Sequence, residues 1–518
     1  MKNRYITYLK ITTFAVVVLL SSACKKTLET PPQDSIDAGT AVVDRNGVEA
    51  SIITLYATLK GENFYGNRLI GLGEALADNG RSTNKSGRYV NEAANVRGNH
   101  YSHWSAAYVT INRINLTLEK IPIITDPTFT TAQKDTYIGE LKFLRALYYF
   151  DLVKAYAYIP GAIVAAQYKG GVPLILKSTT TIDSALVLNA PRADVEAVYN
   201  QIYLDLDDAV AKLAVIAANP SRATKEAAQG LYSRVALYRK DYAKVITLST
   251  SVINTVGSRL LTPGNYVAGF SGAVNPESLF EVTFAQPGET LGVNVSLQTL
   301  FTTLTARVSG KSRDSSDNYP GRPAILPKKL NAGFGDLVPT STLLSALGMT
   351  VTGNGSNTAL ITVRTDDVRN QLFEVGASAR TPVYVECTKF LGKNATVNLD
   401  NVPVLRVAEM YLNRAEAYSS SGNDAAALLD LNTIRRNRGL ATVTNITGVA
   451  LFNEILLQRR LEFAFEGQRF FDLKRNRLDI NKPVTNTTIA FDNSVLLPGI
   501  PQSDVDASRG VLLQNTGY

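Results

Sequence analysis

Apolar residues recur at helical spacing along much of the chain. Leu144, Tyr148, Leu152 and Tyr156 follow one another at four-residue steps, and Pro160 comes shortly after the run. This spacing places the four side chains on one face of a helix, and a proline is typical of the residues just beyond a helix end. The pattern predicts a long helix whose apolar face packs against the core.

Two pairs of helices joined by short turns are predicted as well. Their apolar faces consist of Ala227, Leu231, Val235 and Tyr238 followed by Val245, Leu248 and Val252, and of Val407, Tyr411, Ala415 and Tyr418 followed by Leu428, Leu431 and Ile434. Helical hairpins of this kind are typical of tetratricopeptide-type repeats, although the chain shows no strict period of about 34 residues. A helical-hairpin scaffold is therefore expected.

Between these helical parts the composition changes. Residues 256–399 are rich in Gly, Ser, Thr, Asn and Pro, a composition typical of loops and short strands. We therefore expect a mainly α-helical fold, in which residues 46–255 and 400–476 form the scaffold. The loop-rich part comprises residues 256–399 and 477–518, and composition leaves open whether the chain forms one compact body or two lobes.

The N-terminus has the pattern of a cleavable export signal. Basic residues precede the apolar run 11–20, which is too short to span a bilayer, and Ser-Ser-Ala then leads to Cys24. Loss of residues 1–23 would expose Cys24 for lipid attachment, as in bacterial lipoproteins. Residues 24–45, rich in proline and polar residues, are predicted to be a tether. An ordinary secretory signal, with Cys24 incidental, is the alternative.

Composition and charge indicate a folded protein and argue against nucleic-acid binding. With 518 residues, of which 45% are hydrophobic, the chain can bury a large core. The formal charge of +8 falls by three to +5 when Lys2, Arg4 and Lys10 leave with the signal. No Lys/Arg run stands apart from acidic residues, so nucleic-acid binding is not expected. If lipid occupies Cys24, Cys387 has no disulfide partner.

Few residues suit catalysis or metal binding. His100 and His103, the only histidines, could share a helix face, but no third ligand is evident, so a solvated or packed pair is favoured. The chain has no Gly-x-Ser-x-Gly motif. No cofactor, metal or catalytic residue is predicted.

Two carboxylates could have either a catalytic or a structural role. Glu462 and Glu466 lie four residues apart and could act as the acid and base of a glycosidase. Arg459, Arg460 and Arg469 lie at ion-pair spacing from them along a helical pattern, among large apolar residues. A buried ion-pair network is the favoured interpretation.

Several ordered motifs resemble one family. Residues 458–475 (QRRLEFAFEGQRFFDLKR), 143–152 (FLRALYYFDL), 405–417 (LRVAEMYLNRAEA) and the final QNTGY are similar to motifs of the SusD/RagB family of Bacteroidetes outer-membrane lipoproteins. The resemblance covers almost the whole chain, Cys24 included. It implies a single domain, residues 46–518, in which four tetratricopeptide-like helix pairs form the scaffold and the irregular, loop-rich part packs on it.

The resemblance also implies a role. Members bind a glycan or another nutrient at the outer face of the outer membrane and cap a TonB-dependent, SusC-like porin, without making or breaking a bond. The chain is therefore expected to be a lipid-anchored surface protein and not an enzyme. A surface glycoside hydrolase and a helical-repeat adaptor that binds only protein remain as alternatives.

Aromatic faces suit the apolar side of a sugar ring and planar polar groups suit its hydroxyls, so loops that offer both are the expected ligand-binding places. Trp104 begins a helical apolar run, so core packing is favoured for it. The predicted ligand-binding residues are Asn79, Arg81, Tyr89, Asn91, Arg313, Asn318 and Tyr319.

Overall fold

A computed structural model describes residues 42–180, 189–215, 220–285, 287–308, 326–328, 333–393 and 396–518. The predictions for the signal peptide, for Cys24 and for Arg313, Asn318 and Tyr319 lie outside these residues. The described part is mainly helical, with short strands, as the sequence pattern predicts.

Helices account for most of the regular structure. The described helices are α1 (Arg45–Thr58), α2 (Arg68–Ala75), α3 (Val90–Ala93), α4 (Trp104–Lys120), α5 (Thr131–Tyr156), α6 (Val195–Lys212), α7 (Lys225–Arg239), α8 (Tyr242–Val256), α9 (Tyr266–Gly269), α10 (Leu297–Phe301), α11 (Ser341–Ala346), α12 (Val407–Ser420), α13 (Asp424–Asn437), α14 (Gly448–Glu462), α15 (Arg469–Arg475) and α16 (Gln502–Ala507).

The strands form antiparallel pairs and no larger sheet within the described residues. They are β1 (Gly80–Ser82), β2 (Ser278–Val282), β3 (Thr305–Val308), β4 (Leu326–Lys328), β5 (Leu337–Pro339), β6 (Met349–Thr352), β7 (Leu360–Arg364), β8 (Phe373–Val375), β9 (Val385–Cys387), β10 (Val402–Arg406), β11 (Ile480–Lys482) and β12 (Thr487–Ile489). The pairs are β1 with β5, β2 with β10, β3 with β4, β6 with β7, β8 with β9 and β11 with β12.

The helix ends follow local capping chemistry. Helix α5 starts with a capping box, in which Thr130 and Gln133 satisfy each other's backbone N–H groups. Helices α7 and α8 meet at Lys240, which takes a left-handed conformation, and Asp241 then accepts a hydrogen bond from the N–H of Lys244. Asn423 caps α13 in the same way. The predicted long helix and both helical hairpins are confirmed.

Strand β10 joins the two parts of the chain. It pairs with β2 of the loop-rich part and continues directly into α12 of the scaffold. All five residues of each strand are buried. One hydrophobic core cluster includes residues of both parts, so the loop-rich part is packed on the scaffold through buried apolar side chains.

A buried ionic network lies where these elements meet. The Arg406 guanidinium at the end of β10 donates to Glu277 at 2.7 Å, to Glu462 at 2.9 Å and to Glu466 at 2.8 and 2.9 Å. Arg438 donates to Glu277 and Glu462, each at 2.8 Å. Burial raises the pKa of the Glu462 carboxyl, but the two guanidinium groups outweigh burial and hold it well below its usual range. Glu462 is therefore ionised.

The ion-pair interpretation of Glu462 and Glu466 is confirmed, but the predicted arginine partners are wrong. Helix α14 ends at Glu462, so helical spacing does not extend to residues 466 and 469. The three arginines near the two glutamates in sequence have other partners: Arg459 pairs with Asp472, and Arg460 and Arg469 pair with Asp78.

We expect the variant Glu462→Gln to lower the free energy of unfolding by about 3–5 kcal/mol, because it leaves two buried guanidinium groups short of a carboxylate. Chemical denaturation of the variant and the native protein measures this change.

The matched control is Asp135→Asn, which breaks the ion pair of Lys212 and Asp135. The side chains of Lys212 and Asp135 are 30% and 43% exposed, so the free energy of unfolding should fall by less than about 1 kcal/mol. Equal losses in the two variants would show that the buried network is not a main determinant of stability.

Candidate ligand-binding pocket

One surface segment contributes to two pockets. After α2 the chain enters β1, which pairs with β5, and then turns into the short helix α3. Tyr89, immediately before α3, has a φ of 60°, a left-handed conformation that is uncommon for a non-glycine residue. Such conformations are concentrated at functional sites, which makes this segment a candidate for ligand binding.

The first pocket, called the polar pocket below, has a volume of about 240 Å³. Its walls come from the turn between α1 and α2, from the segment around α3 and from the loop before α10. The lining residues are Glu62, Asn67, Arg68, Gly87, Arg88, Tyr89, Asn91, Glu92, Asn99 and Asn294.

Arg68 and Tyr89 form one wall. The Arg68 guanidinium lies over the Tyr89 ring, 5.3 Å from its centroid, and forms a salt bridge of 3.0 Å with Glu92. The Tyr89 hydroxyl donates to Asn67 Oδ1 at 2.5 Å, and burial raises the pKa of this hydroxyl above its usual value. Tyr89 is only 3% exposed. It therefore supports the wall and does not present an open aromatic face.

Arg88 fixes the opposite rim. Its Nε and Nη2 donate to Asp336 Oδ2 at 3.0 and 2.6 Å, and its Nη1 donates to the backbone carbonyl of Asn294. Asp336 is fully buried. A charge-assisted pair with two donors holds both groups in a fixed geometry, so Arg88 anchors the Asn294 loop beside the pocket.

Three amide side chains in the pocket are open to a ligand. Asn91 and Asn294 are exposed and Asn99 is half-buried. Within the described residues, none of the three side chains forms a hydrogen bond to protein. Each amide offers two donors and one acceptor oxygen, a combination that suits the hydroxyl groups of a sugar.

The sequence-predicted ligand residues are distributed over different places. Tyr89 and Asn91 line the polar pocket. Arg81 lines a second, mostly apolar pocket of about 210 Å³, with its guanidinium 4.9 Å from the centroid of the Tyr384 ring. Asn79 is fully buried, donates to Glu74 at 2.9 Å and accepts from Arg460 at 2.8 Å. Ligand contact at these positions stays a prediction.

Sequence reasoning missed Arg68, Asn99 and Asn294. Asn294 lies about two hundred residues beyond the rest of the pocket, so no local pattern connects it to them. Arg68 begins α2 directly after Asn67, and a polar pair where a turn leads into a helix was the available signal.

The remaining candidate residues lie in the interior. Trp104 is 2% exposed, which confirms the core interpretation. His100 and His103 do not share a helix face, because α4 begins only at Trp104; both rings are buried against aromatic residues. Among the described residues, no group of three or more His, Cys, Asp and Glu side chains could hold a metal ion.

The two histidines predict a pH dependence of stability. Burial lowers the pKa of His100 to about 3 and that of His103 to about 4. The unfolded chain takes up these protons near pH 6.5. Acid therefore favours unfolding, and each histidine lowers the free energy of unfolding by up to about 1.4 kcal/mol per pH unit below that point.

We expect the variants His100→Gln and His103→Gln to show a shallower loss of stability between about pH 6 and pH 4.5. Denaturant unfolding at several pH values measures the slope, and the curves at about pH 7.5 isolate the packing cost of each substitution. Slopes identical to that of the native protein would contradict the assignment of neutral, buried rings.

The helical-hairpin scaffold and the loop-rich part packed on it form a fold known from solved structures. A SusD superfamily protein from Bacteroides thetaiotaomicron superposes with a TM-score of 0.74 at 21% identity, covering 91% of this chain and 100% of that one. A structure described as a laminarin-binding SusD-like protein superposes with a TM-score of 0.64 at 20% identity, covering 92% and 100%.

Sequence comparison agrees with the structural comparison. The SusD family model matches residues 366–518, and a related model, described as starch-binding and associating with the outer membrane, matches residues 36–237. A SusD-like protein from Formosa agariphila is 25% identical over 511 residues, 94% of each chain. The chain belongs to the SusD family.

Proposed function

We propose that this protein captures a glycan in the polar pocket and passes it, chemically unaltered, to a TonB-dependent, SusC-like porin. The observation that carries the proposal is a set of three amide side chains around one pocket of about 240 Å³, none of which forms a hydrogen bond within the described part of the chain. They belong to Asn91, Asn99 and Asn294. Family relatives described as starch-binding or laminarin-binding support a carbohydrate as the ligand.

The absence of catalysis is part of the proposal. Glu462 and Glu466, the carboxylates considered for glycoside hydrolysis, are 0% and 8% exposed and bonded to buried cations. A general acid needs a carboxyl that exchanges protons near neutral pH, whereas arginine holds Glu462 ionised. These two residues are structural, and the polar pocket is assigned binding alone.

The proposed location is the exterior of the outer membrane, through a lipid on Cys24 and the tether 24–45 that leads to the domain 46–518. Support comes from the export signal before Cys24 and from the family description of outer-membrane association. None of the described helices is both long enough and apolar enough to cross a membrane.

The binding site is tested by the double variant Asn91→Ala, Asn294→Ala. Loss of two hydrogen-bonding side chains should weaken glycan affinity by roughly ten- to thirtyfold, at about 1 kcal/mol for each. Isothermal titration calorimetry over a panel of neutral and acidic oligosaccharides measures the affinity, and chromatography of the recovered sugar checks for cleavage.

The control is Asn254→Ala, which removes an exposed asparagine from α8, outside the pocket. It should bind like the native protein. If no sugar of the panel binds while the porin still co-purifies with the protein, the result favours a protein-binding adaptor. If cleaved sugar products appear, the result favours a glycoside hydrolase.

The anchor is tested by Cys24→Ala. Without a thiol to acylate, the protein should leave the outer-membrane fraction and appear in the soluble extract. Immunoblotting of fractionated cells, with protease treatment of intact cells to establish the exposed face, measures this. Retention of the variant in the outer membrane would contradict anchoring through Cys24.

A further inference from the structure

We infer that the polar pocket selects uncharged sugars over sugars that carry carboxylate or sulfate groups. The inference deepens the proposed function and rests on it. Its basis is the state of the two arginines that line the pocket, because each already has a carboxylate partner of its own. The neutral amides are the groups left open to a ligand.

Arg68 is neutralised within the pocket. Its guanidinium lies 3.0 Å from Glu92, and the two side chains are only 23% and 11% exposed. Low exposure limits screening by water and salt, so the pair is stronger than one on the open surface. An acidic sugar that took the Arg68 nitrogen now 3.0 Å from Glu92 would leave that carboxylate unpaired in a partly buried position.

The charge of Arg88 is compensated by a buried carboxylate. Its partner Asp336 is fully buried and accepts two hydrogen bonds from the guanidinium, whose remaining terminal nitrogen donates to the Asn294 carbonyl. Each of the three guanidinium nitrogens of Arg88 thus donates to a protein group. Tight recognition of carboxylate or sulfate depends on two neighbouring arginine nitrogens that are both free to pair with the anion, and Arg88 offers no such pair.

The remaining charge in the pocket is negative. Glu62 is exposed and forms no ion pair within the described part of the chain. The next arginine, Arg97, does not line the pocket, and its guanidinium donates to Thr516 and Ser494. An anionic ligand would therefore meet the unpaired carboxylate of Glu62 and, among the described lining residues, no unpaired cation, and like charges brought together disfavour binding.

The first test compares matched oligosaccharides on the native protein. The probes are neutral α-glucan, β-glucan, mannan and xylan hexaoses, and acidic oligogalacturonides, oligoalginates and sulfated galactan oligosaccharides of similar length. We expect binding to be confined to neutral probes, with an affinity that changes less than twofold between 50 and 500 mM NaCl.

The outcomes separate the two proposals. Binding confined to acidic probes, or an affinity that falls steeply with salt, would overturn the charge inference and leave glycan capture standing. Binding of no probe would overturn glycan capture and the charge inference together. Equal affinities for neutral and acidic probes would also overturn the charge inference.

A variant tests the role of Glu92 directly. Glu92→Gln frees Arg68, and the ratio of affinity for acidic over neutral probes should rise by about tenfold at 50 mM NaCl, with the gain lost at high salt. The matched control is Glu196→Gln, which frees Arg239 from a salt bridge of the same 3.0 Å length outside the pocket.

The control should leave the ratio unchanged. An unchanged ratio in Glu92→Gln, with a thermal unfolding curve that shows a folded protein, would overturn the assignment of Glu92 as the group that neutralises Arg68. If this variant does not fold, the salt dependence of the native protein decides the inference alone.

Discussion

The buried ion pairs of Arg406 determine how the two parts of the chain fit together. Arg406 ends β10, and its partners are the residue before β2, the last residue of α14 and a residue of the segment after α14. The same segment contacts α2, because Gly467 follows Glu466 and lies so close to this helix that a Cβ at Gly73 would be 2.2 Å from the Gly467 carbonyl oxygen. Helix α2 starts at Arg68, so the network also positions the pocket wall.

Sequence periodicity predicted the scaffold because helical burial is a local property. The apolar faces of α5, α7, α8, α12 and α13 could be read from spacing alone, and their ends from caps and turns. Ion-pair partners are not local. Glu277 and Arg406 are 129 residues apart, and a charge near in sequence, such as Arg459, was assigned in place of the true partner.

The pocket was predictable only in part for the same reason. Tyr89 and Asn91 lie within one short segment whose aromatic and amide groups could be recognised, whereas Asn294 joins them only through the fold. Asn79 lies in the bend before β1, as the sequence suggests, but it is buried there. Its amide donates to Glu74 and accepts from Arg460, because buried polar groups are almost always hydrogen-bonded, and these partners could not be predicted from local sequence.

The open amides of the polar pocket and the residues of the Arg406 network are separate sets, and this separation has an evolutionary consequence. The open amides Asn91, Asn99 and Asn294 share no bonds with the Arg406 network, so substitutions at the two places should act almost independently. Mutations can therefore change the open amides of the polar pocket with little loss of folding stability. Under the proposed function, a lineage that meets a new polysaccharide can change the choice of ligand one residue at a time while inheriting the scaffold unchanged.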